Sequence, residues 1–135
     1  MRYLLIVALC LCSSIAHARM DERNNAINFK DRALAFCIAK AYNDSPAAEL
    51  DARKTGGIYL NLTYFDLDSN TKLLALIDKY LRCDYSMPFE GYVDAKFDLL
   101  KCFDMYHSPE LDALVRKYVP HPNWIGYKPP KKQRK

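Results

Sequence analysis

Apolar side chains return along this chain on a helical beat. From about Asn25 to Tyr42 the row Phe29, Ala33, Phe36, Cys37 and Lys40 falls at spacings that share one side of an α-helix. Asn43-Asp44 ends that segment, and Ser45-Pro46 opens a second with a cap residue followed by the imino acid best suited to a first helical turn. Its interior holds Gly56-Gly57, although glycine costs about 1 kcal/mol relative to alanine inside a helix. The pair therefore marks a kink, a break or a close approach of another backbone, while Leu60, Tyr64 and Leu67 continue the period beyond it. Ser69 is placed to cap a third helix carrying Leu73, Leu74, Ile77, Tyr80 and Leu81. A fourth, from about Tyr92 to Tyr106, carries Val93, Phe97, Leu100 and Phe103. Ser108-Pro109-Glu110 opens a fifth, with Leu111, Leu114, Val115 and Tyr118. No alternating pattern runs long enough for a strand and no repeat is present. The expectation is an all-α, single-domain compact bundle of about five short helices.

The ends change the picture. MRYLLIVALCLCSSIAHA combines an early Arg2, an apolar run from Leu4 to Cys12 and the small-x-small site Ala16-His17-Ala18. That order predicts an export signal over 1–18, cleaved after Ala18, with an apolar run too short to span a bilayer. Residues 19–127 then form the helical domain and 128–135 a basic tail. Without Arg2 the chain has 19 basic and 16 acidic residues. Five of those basics are Lys128, Lys131, Lys132, Arg134 and Lys135, so the body keeps 14 against 16 and is slightly acidic. A tail of this kind reads first as a solvated terminus, not as a nucleic-acid or membrane-surface contact.

Of five cysteines, Cys37, Cys83 and Cys102 survive cleavage. An exported chain permits a disulfide, and three cysteines make one bridge with one left over. The stretch KFDLLKCFDMYHS, 96–108, raises a different possibility, a Cys102–His107 nucleophile pair. On a helix, residues five apart are rotated by about 140° and separated by about 7.5 Å along the axis, which sets the two side chains in different directions. An apolar helix also disfavours a thiolate. After the leader only His107 and His121 remain, neither at ligand spacing from another donor, so no metal or cofactor is expected. His107 suits the last turn of its helix and His121 a surface loop. GxSxG and phosphate-cradling loops are missing from the sequence, and nothing argues for an enzyme. The bridging reading explains Cys102 better. Cys37 and Cys102 both stand in the middle of apolar helices, and a crosslink over 65 positions would stabilise by about 4 kcal/mol in the chain-entropy model. Cys37–Cys102 is the favoured pairing, with Cys83–Cys102 the alternative.

KFDLLKCFDMYHSPELDALVRKYVPHPNW, together with FCIAKAY at 36–42, resembles the type VI secretion amidase immunity proteins. The particular family is the one that protects against the fourth class of amidase effectors. The resemblance runs from about Asn25 to Trp124; Cys83 and the tail after Gly126 fall outside its pattern. It implies a periplasmic all-α protein that binds and inhibits a peptidoglycan-cleaving cysteine amidase delivered by neighbouring cells. It further implies a homodimer carrying two effectors as a heterotetramer, and a loop between helices that enters the amidase's groove and blocks its catalytic centre.

By position that loop corresponds to CDYSMPFEGY, and its partner-binding candidates are Asp84, Tyr85, Ser86, Met87, Phe89, Glu90 and Tyr92. Aromatics carry a disproportionate share of binding energy, and acids speed encounter with a basic groove. The bland reading of Tyr85 and Phe89 is that they tuck into the core. Other functions in view are inhibition of a different wall hydrolase such as a lysozyme, a small thiol enzyme using Cys102, and anchorage of the basic tail at an anionic surface.

Overall fold

A computed structural model describes residues 22–86 and 91–126. Five helices run in chain order: α1 Asn25–Ala41, α2 Pro46–Leu62, α3 Ser69–Leu81, α4 Asp98–Tyr106 and α5 Pro109–Tyr118. Among the described residues the sole β feature is a bridge between Asn24 and Ile125, so the all-α bundle is as expected. Helix α1 is its axis. Phe29, Ala33 and Cys37 of α1 are fully buried against Leu73 and Ile77 of α3, Cys102 and Met105 of α4, and Leu111 and Val115 of α5. Each large apolar side chain removed from water in this way contributes about 1.5–3 kcal/mol. Around the rim, Lys40–Asp78, Lys30–Asp112 and Lys79–Glu110 pair α1 with α3, α1 with α5 and α3 with α5. Exposed pairs like these add little to stability, because water screens them.

The disulfide joins Cys37 of α1 to Cys102 of α4 with a Cα–Cα separation of 5.7 Å, and both residues are completely buried. Cys83 is free and exposed. A nucleophilic Cys102 is therefore ruled out by the bond it makes.

Several boundaries differ from the sequence expectation. Helix α2 runs unbroken through both glycines. What comes close is a side chain, not a backbone: a Cβ on Gly56 would lie 2.8 Å from Phe36 Cε1. The helix ends at Leu62, earlier than the Leu60–Tyr64–Leu67 period suggests. Thr63 is extended, Asn25 Oδ1 accepts from the Tyr64 N–H at 3.2 Å, and Leu67 is left exposed. Ser45 occupies the N-cap of α2 without a side-chain cap bond. Asp68, not Ser69, is the N-cap of α3. Ser108 does cap α5, its Oγ accepting from the Leu111 N–H at 3.1 Å, and His107 closes α4 with its ring edge-on to Tyr106.

The largest departure is α4. It begins at Asp98, because Phe97 takes a left-handed conformation (φ 54°) that turns the chain before the helix starts. The row Val93, Leu100, Phe103 faces out, whereas Lys101, Cys102 and Met105 face in. The chain after α5 also does more than extend. It folds back so that the carbonyls of Trp124 and Pro122 accept from Asn25 N and Ala26 N, at 2.8 and 3.0 Å. Two first-turn N–H groups of α1 that would lack intrahelical partners are thereby paired. His121 stacks on Trp124 with ring centroids 3.7 Å apart, beside Tyr64, so it is part of this packed return and not a free loop residue.

Candidate protein-binding surface

The end of α3 and the start of α4 are two posts from which the described residues 82–86 and 91–97 lead off. One lysine fastens both. Lys101 is 6 % exposed, and its Nζ donates to Leu81 O at 3.3 Å and to Asp98 Oδ1 at 2.8 Å. A buried ammonium is tolerable only when paired in this way. The next residue, Cys102, is covalently fixed to α1, so the start of α4 is tied to the core both by this bond and by the Lys101 contacts.

On the α3 side, Asp84 Oδ1 accepts from the Ser86 N–H at 2.9 Å, a local turn that leaves both side chains exposed. That bond favours the charged carboxylate and holds Asp84 below the usual range. Tyr85 lies half-buried along α4 and does not enter the core. Its hydroxyl donates to Asp104 Oδ2 at 2.7 Å, and Lys101 Nζ stands 5.9 Å from its ring centroid. The hydrogen bond to Asp104 pushes the Tyr85 phenol up to about 12. On the α4 side, Gly91 supplies a positive φ of 85° and Tyr92 stacks on Phe97 at 5.9 Å while half of its surface stays exposed. Of the partner-binding candidates, Asp84, Tyr85, Ser86 and Tyr92 thus sit in the described ends of the α3–α4 connection. Met87, Phe89 and Glu90 lie outside the described residues, as do Ala18 and the basic tail.

Beside the projection, Tyr42, Asp94, Lys96, Phe97, Leu100 and Phe103 line a shallow groove of about 640 Å³. Val93, Leu100 and Phe103 are 69 %, 38 % and 43 % exposed. Exposed apolar side chains beside acids are the composition of a protein-contact surface. Sequence reasoning missed Asp98, Lys101 and Asp104 as supports. Their signal was the (i, i+3) spacing of Asp98 and Lys101 and the placement of Lys101 on an otherwise apolar helix face.

A second polar cluster lies where α1 meets α2 and α4. Asp31 accepts from Arg23 Nη1 at 2.6 Å and from the Tyr106 hydroxyl at 3.2 Å, with Tyr59 beside them. Desolvation, followed by the Asp31 charge, raises both tyrosines. These groups pair with one another and tie helices together. No group of three metal-ligating side chains is found among the described residues, and no helix there is long and apolar enough to cross a membrane.

Comparison with known proteins points the same way. The family model described as Tai4, type VI secretion system (T6SS) amidase immunity protein, matches residues 27–115. Among solved structures, the chain is similar to one from the type VI-secreted toxins and self-resistance proteins of Serratia marcescens. That likeness has a TM-score of 0.69 and 30 % identity, covering 80 % of this chain and 86 % of the other. It is also similar to a chain of the Tae4/Tai4 effector–immunity system of Salmonella typhimurium, at TM-score 0.61 and 26 % identity, covering 69 % and 87 %. Among curated protein sequences none matches.

Proposed function

Because the chain belongs to the Tai4 family of type VI secretion system amidase immunity proteins, we propose that it inhibits a type VI-secreted peptidoglycan amidase by covering that enzyme's substrate groove. The observation that carries this reading is the family match over residues 27–115, which spans the posts of the projection. Residues 84–92 are the inserted segment. Tyr85 and Tyr92 are its aromatic anchors at the rim and Asp84 is a charge that complements a basic groove. The exposed apolar side chains Val93, Leu100 and Phe103 extend the contact area beyond the segment. Inhibition by occlusion asks for no reacting group on the inhibitor, only a rigid shape, and the Lys101 clamp and the disulfide supply that rigidity.

The site of action is the periplasm. Residues 1–18 act as the export signal, cleavage follows Ala18, and the oxidising compartment closes Cys37 onto Cys102. The working unit is a homodimer that binds two amidases as a heterotetramer, shielding the cell from its own and its kin's effector.

Co-expression with the co-encoded amidase tests this. The expected result is co-purification, loss of amidase activity in the complex and rescue of cells that lyse when the amidase reaches the periplasm alone. Tyr85→Ala with Tyr92→Ala is expected to weaken binding at least tenfold while leaving the helical circular dichroism unchanged. An amidase that binds and is inhibited equally well by that variant would refute the placement of the segment; no binding by the unaltered protein would refute the function.

A further inference from the structure

Where α1 meets the connection between α2 and α3, the fold buries polar atoms that no atom of the described residues answers. Arg32 is 5 % exposed. Its Nη2 donates to Asn70 Oδ1 at 2.7 Å, and its guanidinium lies 4.9 Å from the Phe36 ring centroid and 4.8 Å from that of Phe65. Its Nε and Nη1 are buried without a partner among the described residues. One turn earlier on the same face, Asn28 gives its amide N–H groups to Arg23 O and Leu62 O, at 3.4 and 3.5 Å. Both acceptors are carbonyls, which fixes the amide orientation and leaves Asn28 Oδ1 buried and unanswered. Thr63 Oγ1 and Ser69 Oγ complete the set.

Neighbouring contacts link these residues. Thr63 follows the Leu62 that Asn28 holds, Ser69 precedes the Asn70 that Arg32 holds, and Phe65 between them covers the guanidinium. The acids of that connection, Asp66 and Asp68, are exposed to solvent, and burial pushes the Arg32 guanidinium down to about 10. Roughly nine in ten buried polar groups in folded proteins find a hydrogen-bond partner. Five orphans on α1 and the connection that it holds therefore call for hydrogen-bonding partners outside the described residues.

Their chemistry follows from the inventory. Arg32 offers only donors, Asn28 Oδ1 only accepts, and the two hydroxyls do either. A halide could accept from Arg32 but could not donate to Asn28, and a cation would be repelled by Arg32. We propose that ordered water molecules occupy a built internal site between Asn28, Arg32, Thr63 and Ser69, accepting from Arg32 and donating to Asn28 Oδ1. One or two such waters fit the frequency of about one buried water per 27 residues. They make the buried guanidinium a hydrated pin that joins α1 to the 63–70 connection, in place of a counter-ion.

A high-resolution crystal structure of the purified protein, grown with bromide replacing chloride, tests this. The expected result is ordered water within about 3.2 Å of Arg32 Nε or Nη1 and of at least one of Asn28 Oδ1, Thr63 Oγ1 and Ser69 Oγ, with no bromide anomalous signal. Side chains that pair directly with one another around a dry site would overturn the proposal, and so would a bromide peak, which would make this a small-anion site. Ser69→Ala removes a hydroxyl with little loss of volume and is expected to lower the occupancy of the water; unchanged occupancy would count against the site as drawn. None of these outcomes depends on amidase binding.

Discussion

Alanine at Gly56 and alanine at Gly57 should move stability in opposite directions, although the two glycines are adjacent in one unbroken helix. At either position alanine improves helix propensity by about 1 kcal/mol. At Gly57 nothing lies within 4 Å of the new methyl group, so that gain is expressed in full. At Gly56 the methyl would stand 2.8, 2.9 and 3.1 Å from Phe36 Cε1, Cδ1 and Cζ. The Phe36 ring is not free to swing away, since it packs against the core and the Arg32 guanidinium lies over it at 4.9 Å. Overpacking a well-filled site costs about 1–3 kcal/mol, so Gly56→Ala nets a loss of about 1 kcal/mol. The two variants then differ by about 2 kcal/mol, which at about 4–8 °C per kcal/mol for a domain of this size separates their melting temperatures by roughly 10 °C. Urea unfolding followed by circular dichroism measures the difference. Adding Phe36→Leu should recover much of the Gly56→Ala loss and do little for Gly57→Ala, a coupling that a double-mutant cycle isolates. Equal stabilisation by both alanines would refute the close-approach explanation of the glycine pair.

Three further outcomes are expected. Replacing Cys37 and Cys102 by serine should lower stability by about 4 kcal/mol, from the 65-residue separation, measured by urea unfolding against the oxidised protein. Asp104→Ala removes the acceptor that raises the Tyr85 phenol to about 12, so Tyr85 should ionise nearer its ordinary value of about 10; near-ultraviolet titration against a Tyr85→Phe control reads the change. Hydrogen bonds from Lys30 to Asp112, and from Lys79 and Tyr80 to Glu110, lower both carboxyls in the folded state. Their contribution is present above about pH 4, the ordinary carboxylate range, and disappears as pH falls through the lowered folded-state values. Lys30→Met should therefore lower the neutral plateau while leaving stability below the folded-state values unchanged, so that the acid side of the profile flattens.

Helix number and the disulfide were legible in the sequence because both follow from burial that is periodic or covalent. Phe29, Ala33 and Cys37 had one side to occupy, and Cys102 was apolar in context and distant in sequence. The fourth helix misled because its apolar row, Val93, Leu100 and Phe103, is the exposed one. The bridge to Cys37 turns Cys102 and Met105 inward, and periodicity alone cannot distinguish a side facing the core from a side facing a partner. Leu67 misled for a related reason. Its spacing fits α2, but the helix ends at Leu62, where Asn28 bonds the Leu62 carbonyl and Asn25 the Tyr64 N–H, a tertiary effect between residues far apart in the chain. Arg32 and Lys101 were unreadable because a cation is expected at the surface until its partners are known. On the candidate surface, the position of the projection was legible from Pro88 and Gly91, whereas its supports on α4 were not.

The bond between residues 37 and 102 also closes a covalent ring that contains α2, α3 and the whole segment 84–92. A protease that cuts within 84–92 consequently opens a loop without releasing a fragment. The two halves stay tethered through α1 and α4, and the nicked chain separates only when it is both cleaved and reduced.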